Sequence, residues 1–175
     1  LVARSGSMKS ALDFTQEKHN KFPENPEVAT AYAELLVMSG KNEKAIDVAT
    51  LALKQDESNV PAMIALARAY LANDQHEFAG FILDMAEKND PSEPVIYYIR
   101  GLIYEKSEYD FAAMEKYEEA IKLKPDFVEA LNRLAVLQVN GGSFEDAAKN
   151  LEKVVSLVPD SAVAHLNLGE AYRGI

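Results

Sequence analysis

The stretch from Pro94 to Phe127 decides the fold, and it reads PVIYYIRGLIYEKSEYDFAAMEKYEEAIKLKPDF. Its apolar residues recur at the spacing of two amphipathic helices, joined by a short turn and closed by a proline. Small and aromatic residues stand at helical spacing along one face of each helix: Gly101, Ala113, Ala120, Tyr104 and Tyr117. This pattern is typical of close helix packing and carries no catalytic signature.

The same pattern returns every 34 residues along the chain, in the ranges 26–59, 60–93, 94–127 and 128–161, with a partial copy at 162–175. The segment 8–25 is in phase as the second helix of a preceding repeat. Counting from the first residue of each repeat, positions eight and twenty hold only small residues. They are Ala33, Ala67, Gly101, Ala135 and Gly169 at position eight, and Ala45, Ala79, Ala113 and Ala147 at position twenty.

Larger residues occupy the complementary positions. Position eleven holds Leu36, Tyr70, Tyr104, Gln138 and Tyr172, and position twenty-four holds Ala49, Leu83, Tyr117 and Leu151. We therefore predict that large side chains face small ones across each helix pair. Gln138 is the polar exception to this pattern. Proline follows the second helix at Pro91, Pro125 and Pro159, where it is expected to stop the helix.

These positions resemble the W-x₂-L-G-x₂-Y…A-x₃-F…P pattern of tetratricopeptide repeat proteins, from Met8 to Ile175. Tryptophan is missing at position four of every repeat. The resemblance implies an all-α fold, an α-solenoid of helix–turn–helix units wound into a right-handed superhelix, with residues 8–175 forming a single domain. The first seven residues, LVARSGS, resemble a protease-site and linker remnant of recombinant expression and are left out of the fold prediction.

Composition excludes several classes of function. A formal net charge of −10 without a basic cluster disfavours nucleic acid as a partner, because phosphates would be repelled. No run approaches the roughly 18 apolar residues that a membrane span needs, so no membrane insertion is expected. Cysteine is absent, which removes disulfides and thiol chemistry. The compartment stays open, because cytoplasmic and periplasmic locations are both compatible with these features.

No constellation of catalytic or metal-binding residues is found. His19, His76 and His165 stand in different repeats without ligand spacing. Carboxylates are plentiful, but a solvated helix face explains them better than a catalytic pair does. The chain is therefore predicted to have no catalytic residues, no metal site and no cofactor, and not to be an enzyme.

The resemblance implies that the first helix of each repeat lines a groove through positions two, five, nine and twelve. The residues predicted to bind a partner there are Ile64, Arg68, Leu71, Tyr98, Leu102, Glu105, Asn132, Val136 and Val139. Tyr98 is the predicted anchor, since tyrosine combines a large rigid ring with a polar tip. The alternative is that Tyr98 only packs within the repeats. The lysines and asparagines that hold a peptide carboxylate in one subgroup of the family are missing, which disfavours that ligand.

Two functional hypotheses remain. The first is a protein–protein interaction scaffold that binds a partner helix or an extended apolar segment in the groove. The second is a regulatory or substrate-delivery arm of a larger enzyme, or of a secretion or motility assembly. Uncovered apolar residues at both ends, such as Leu166, Leu168 and Tyr172, also predict self-association through the ends of the solenoid.

Overall fold

The computed structural model describes residues 2–175, with side-chain surroundings from Ser7 onward. Within this range the chain forms ten α-helices and no strand. They are α1 (Val2–Lys21), α2 (Pro26–Met38), α3 (Asn42–Gln55), α4 (Val60–Ala72), α5 (His76–Asn89), α6 (Pro94–Lys106), α7 (Asp110–Leu123), α8 (Val128–Asn140), α9 (Phe144–Leu157) and α10 (Ala162–Gly174). The prediction of an all-α chain of helix–turn–helix repeats is confirmed. None of the described helices is both long and apolar enough to cross a bilayer.

The starts of α2, α4, α6 and α10 are capped by side chains that accept backbone N–H groups. Asn25 Oδ1 accepts from the Val28 amide at 3.0 Å, and Asn59 Oδ1 accepts from the Ala62 amide at 2.9 Å. At the start of α6 the carboxylate of Glu93 takes this role, accepting from the Val95 amide at 3.0 Å. Each cap satisfies one donor that the first turn of a helix would otherwise leave unpaired.

The turn inside each repeat has one backbone conformation throughout the chain. Position fifteen is left-handed in every full repeat: Gly40 (φ 75°), Asp74 (φ 57°), Glu108 (φ 62°) and Gly142 (φ 80°). The next amide then donates back to the first helix, as Tyr109 N does to Tyr104 O at 2.9 Å. This is the Schellman geometry of a helix end, for which glycine is the least strained residue. Glu108 adopts the conformation despite carrying a side chain.

The helices form two compact units, the first ending at Pro91 and the second running from Ser92 to Ile175. In unit 1 a core of alanine, leucine and Tyr32 joins α1 to α4. In unit 2 smaller clusters sit between successive helices, with Tyr117, Leu131, Leu151 and Val154 at most 2% exposed. Packing in these cores fixes the position of each helix within its unit, and so of the side chains on its surface.

The prediction that large side chains face small ones is confirmed in the pair α6 and α7. Gly101 at position eight is covered by the ring of Tyr117 at position twenty-four, so that even a methyl group on Gly101 would overlap the ring. Tyr117 itself is fully buried. The ring and the glycine therefore form the contact that fixes the distance between the two helices.

Candidate protein-binding groove

Six of the predicted groove residues lie in unit 2, on the first helices of its repeats. Tyr98, Leu102 and Glu105 are on α6; Asn132, Val136 and Val139 are on α8; all six are half-buried. Each of these side chains packs partly against its own unit and leaves the rest of its surface accessible to solvent. The described surface of unit 2 is therefore suited to contact with another molecule.

Glu105 connects three helices in this surface. Its carboxylate accepts the Tyr117 hydroxyl proton at 2.7 Å and a guanidinium N–H of Arg133 at 2.8 Å. Tyr98 lies close enough to Arg133 to favour its charged form. We call Tyr98, Glu105, Tyr117 and Arg133 the Glu105 cluster. Because Arg133 keeps 47% of its side-chain surface exposed, the cluster presents an oriented cation to solvent.

Burial, and then the hydrogen bond to Glu105, raise the pKa of Tyr117 far above its ordinary value of 10.0. The phenol therefore stays protonated and keeps donating to Glu105. For Arg133, burial is the largest single contribution and opposes the charged form, but Glu105, Tyr117 and Tyr98 together outweigh it and the pKa is raised. Tyr117 and Arg133 thus both keep their protons over the whole neutral range.

Tyr98 has a position between surface and core. Its ring lies 5.1 Å from the Phe127 ring and 5.9 Å from the Tyr117 ring, measured between centroids. The Tyr98 ring thus packs against these two rings, while part of it remains accessible to solvent. Tyr98 is therefore held in place at the surface and also contributes to packing.

A pair of asparagines continues the surface from α8 to α10. The amide nitrogen of Asn167 donates to Asn132 Oδ1 at 3.1 Å. Among the described residues, the amide nitrogen of Asn132 and the carbonyl oxygen of Asn167 have no hydrogen-bond partner. Sequence reasoning selected Asn132 but not Asn167 or Arg133. Arg133 lies at position six, next to the selected positions, and only the structure shows that it turns onto Glu105.

The predicted groove residues of unit 1 have different surroundings. Ile64 is 8% exposed and Leu71 is 7% exposed, so both contribute mainly to the core. Arg68, on the same helix, is exposed. In unit 1 the accessible part of the predicted site is therefore the charged residue between two buried apolar ones.

A cleft of about 580 Å³ opens in unit 1 between the beginnings of α2 and α4. Its lining includes the carboxylates Glu27, Glu34 and Asp56, together with Thr30 and Pro61. Glu27, Thr30, Glu34 and Pro61 stand at groove positions two, five and nine, but none of them was among the residues predicted to bind a partner. The sequence feature that could have indicated this cleft is the pair of acidic residues at positions two and nine of the first repeat, Glu27 and Glu34. In residues 7–175 no group of three or more histidine, aspartate or glutamate side chains is placed to hold a metal ion.

Family comparison agrees with the repeat geometry. Tetratricopeptide repeat families match residues 38–103, 94–127 and 132–174. The chain belongs to the tetratricopeptide repeat family, as the pattern predicted. Such repeats generally mediate protein–protein interaction.

Solved structures with the same fold include TTC0263, a thermophilic tetratricopeptide repeat protein of Thermus thermophilus. It has a TM-score of 0.85 and 20% identity, covering 98% of this chain and 94% of that one. YrrB, described as having an unusual peptide-binding site, has a TM-score of 0.63 and 21% identity, covering 93% of this chain and 84% of that one. At these identities the likeness shows the fold alone.

Two curated relatives are longer than this chain. The human protein O-mannosyl-transferase TMTC1 is 24% identical over 99% of this chain, which corresponds to 20% of its own length. The repeat-containing protein YpiA of Bacillus subtilis strain 168 is 27% identical over 89% of this chain and 37% of its own length. The chain therefore spans well under half of either relative.

Proposed function

We propose that this chain is a protein-interaction scaffold whose unit 2 groove binds a segment of a partner protein. The observation that supports this most is the Glu105 cluster, which holds Arg133 and Tyr98 in place at the surface before any partner arrives. A preorganised tyrosine and arginine are the residue types that most often dominate binding energy at interfaces. Binding to such a surface loses less conformational freedom than binding to mobile side chains.

The rest of the surface matches a segment with apolar and polar groups side by side. Leu102, Val136 and Val139 offer half-buried apolar contacts, and the Asn132–Asn167 pair offers a hydrogen-bond donor and an acceptor. The exposed Arg133 favours a carboxylate on the partner. The segment is thus an apolar one that carries an acidic residue.

A crosslinking experiment tests this proposal. A photoreactive benzoylphenylalanine is placed at Val136 in the groove and, as the control, at exposed Lys153 on α9. Crosslinking in the source cell, followed by mass spectrometry, identifies proteins that contact each position. We expect a defined partner at Val136 that is not obtained at Lys153. A partner captured equally at Lys153 would contradict the groove as the binding site.

The identified partner then allows a matched comparison of affinity. Arg133→Glu is expected to weaken binding by at least about tenfold, because a charge contact in the groove becomes repulsive. Lys153→Glu makes the same charge change on α9 and is expected to leave the affinity within about twofold. Equal effects of the two variants would show that only overall charge matters.

We also propose that the scaffold acts as an arm of a larger assembly, which is the second hypothesis from the sequence. The observation that favours it is that the matched relatives are several times longer than this chain. Affinity capture of the natural full-length protein, compared with residues 8–175, tests the idea. Partners bound by both forms would assign recognition to the repeats, and partners bound only by the full-length protein would assign it elsewhere.

Self-association through α10 is a further proposal of the same kind. Val163 is 61% exposed and Leu166 is 65% exposed, although both are apolar. Leu168, by contrast, packs against the core between α8, α9 and α10. Sedimentation of wild type and Leu166→Glu tests the proposal. A concentration-dependent mass that the substitution abolishes supports association, and a monomer at every concentration rejects it.

A further inference from the structure

A second feature of unit 2 lies on α8, at position eleven, where Gln138 stands. The other repeats hold leucine or tyrosine there, whereas Gln138 is a primary amide that is only 7% exposed. Its Oε1 accepts from Asn150 Nδ2 on α9 at 2.9 Å. Among the described residues, its amide nitrogen and the Asn150 carbonyl have no hydrogen-bond partner. Neither atom belongs to the fully enclosed polar atoms that lack a partner among the described residues, so both are open to solvent and available to a ligand.

Gln138 lines a cleft of about 450 Å³. Leu134 and Gln138 of α8 line it together with side chains of α7 and α9. The volume lies within the range of roughly 300–1,000 Å³ that is common for specific ligand sites. The cleft shares no residue with the Glu105 cluster. It is thus a separate candidate site.

The charged residues around this cleft are balanced. Glu118 and Lys122 come from α7, and Asp146 and Lys149 come from α9. None of these four side chains has an ion-pair partner within 4.0 Å among the described residues. With two cations and two anions, the cleft has no net preference for a charged group. Each charge can still bind an opposite charge on a ligand.

The amide pair specifies the neutral group that fits between these charges. Gln138 and Asn150 are joined by one hydrogen bond, which leaves the N–H₂ group of Gln138 and the carbonyl of Asn150 without a partner among the described residues. If both amides were turned over, the bond would reverse and the pair would again leave one donor and one acceptor. A carboxamide carries the complementary acceptor and donor, whereas a carboxylate or an ammonium ion carries only one of them. A hydroxyl carries both functions on one atom and a backbone peptide group carries them on opposite sides, so the planar primary amide of asparagine or glutamine is the side chain that fits the pair best.

We propose that this cleft binds a carboxamide side chain on a protein segment that carries opposite charges on either side of it. The carboxamide completes the hydrogen bonds of Gln138 and Asn150, and the flanking charges meet the unpaired residues of α7 and α9. This site is independent of the proposed groove. The chain would then contact partners at two separate surfaces of unit 2.

Model peptides test the proposal directly. The probe is acetyl-Lys-Gln-Glu-N-methylamide, and the matched control is acetyl-Lys-Leu-Glu-N-methylamide, which keeps the charges and removes the one primary carboxamide. Binding to the whole chain is followed by NMR shifts of backbone and side-chain amides. We expect saturable shifts at Gln138 and Asn150 with the first peptide, and at least about tenfold weaker binding of the second, since hydrogen bonds of this kind contribute about that much.

Two variants separate recognition from folding. Gln138→Leu restores the apolar residue type of the other repeats, so we expect unchanged or higher melting and at least about tenfold weaker binding of the glutamine peptide. Asn150→Ala removes the second amide and should weaken binding in the same way. The groove variant Arg133→Glu should bind the peptide as wild type does, so a failure of the groove proposal would leave this result unaffected.

Three results would overturn the proposal. They are absence of saturable shifts with the glutamine peptide, equal binding of the leucine peptide, and retention of binding by Gln138→Leu. A marked loss of stability in Gln138→Leu would also count against it, because the amide would then serve the core.

Discussion

The helix pair α6–α7 and the helix α10 carry the same small residue at position eight in very different surroundings. Gly101 on α6 is covered by the Tyr117 ring, whereas a side-chain carbon on Gly169 of α10 would meet no other atom within 4 Å. The requirement for glycine therefore comes from the opposing helix and not from the helix that carries it. Glycine at position eight is thus closely packed in α6 and lies at an open surface in α10.

The largest expected effect comes from removing the covering ring. Tyr117→Ala should lower the free energy of unfolding of unit 2 by about 3–5 kcal/mol, because a fully buried aromatic side chain leaves a cavity. Tyr172→Ala on α10 is the control, since Tyr172 is 52% exposed, and should change the free energy far less. Urea unfolding followed by circular dichroism gives both values. Equal losses would contradict the contrast between the two regions.

A methyl group added at position eight should have opposite effects in the two regions. Gly101→Ala overlaps the Tyr117 ring and should lower the free energy of unfolding by about 1–3 kcal/mol. Gly169→Ala has free space and gains helix propensity, so it should raise the free energy by up to about 1 kcal/mol. Thermal and urea unfolding measure both changes. A loss at Gly169 would indicate that α10 is covered in solution.

Alkaline pH sharpens the comparison through the two phenols. The pKa of Tyr117 is raised in the folded state, first by burial and then by the hydrogen bond to Glu105. Because the folded state holds this proton more tightly, the stabilisation is complete below the unfolded pKa of roughly 10 and is lost as pH rises above it. Tyr117→Phe should therefore flatten the fall in unfolding free energy above that pH. The pKa of Tyr172 is also raised, first by its hydrogen bond to Glu152, but Tyr172 is exposed and should contribute less. A Tyr172→Phe control with the same flattening would therefore refute the assignment to Tyr117.

The smallest expected effect concerns the turn that closes α6 onto α7. Glu108 is left-handed there with φ 62°, a conformation that disfavours a residue with a side chain. Glu108→Gly should raise the free energy of unfolding by about 0.5–1 kcal/mol, after allowing for the greater freedom of glycine in the unfolded chain. The matched control, Gly142→Ala, should lower it. Denaturant midpoints measured with unchanged slopes test both changes.

The fold was predictable because its determinants are local and repeated. Helix periodicity, proline stops and small residues recur every 34 positions, so each repeat supports the interpretation of the others. The contact of Gly101 with Tyr117 follows from this register. The left-handed conformation of Glu108 is indicated only by its register, because position fifteen holds glycine in the first and fourth repeats, whereas glutamate itself gives no signal for it.

The candidate sites were predictable only in part. Tyr98, Glu105 and Asn132 follow from their positions in the repeat. The junction of Glu105 with Tyr117 and Arg133 does not, because it depends on which rotamers the three helices allow. Likewise, Gln138 was visible as an exception to the pattern, but only the structure shows its half-satisfied amide beside a cleft. The repeat pattern predicts the backbone fold. Where a residue departs from the pattern, its contacts can be learned only from the structure.

The order of packing also has a consequence for the newly synthesised chain. Within each unit, the described helices pack against the next helix or the next but one in sequence. A ribosome adding roughly 5–20 residues per second makes one repeat in about 2–7 s. Helical proteins with such local contacts fold in microseconds to milliseconds. We therefore expect the apolar face of each helix to be covered as soon as the next helix leaves the ribosome. The growing chain would then expose little apolar surface to chaperones or to other nascent chains.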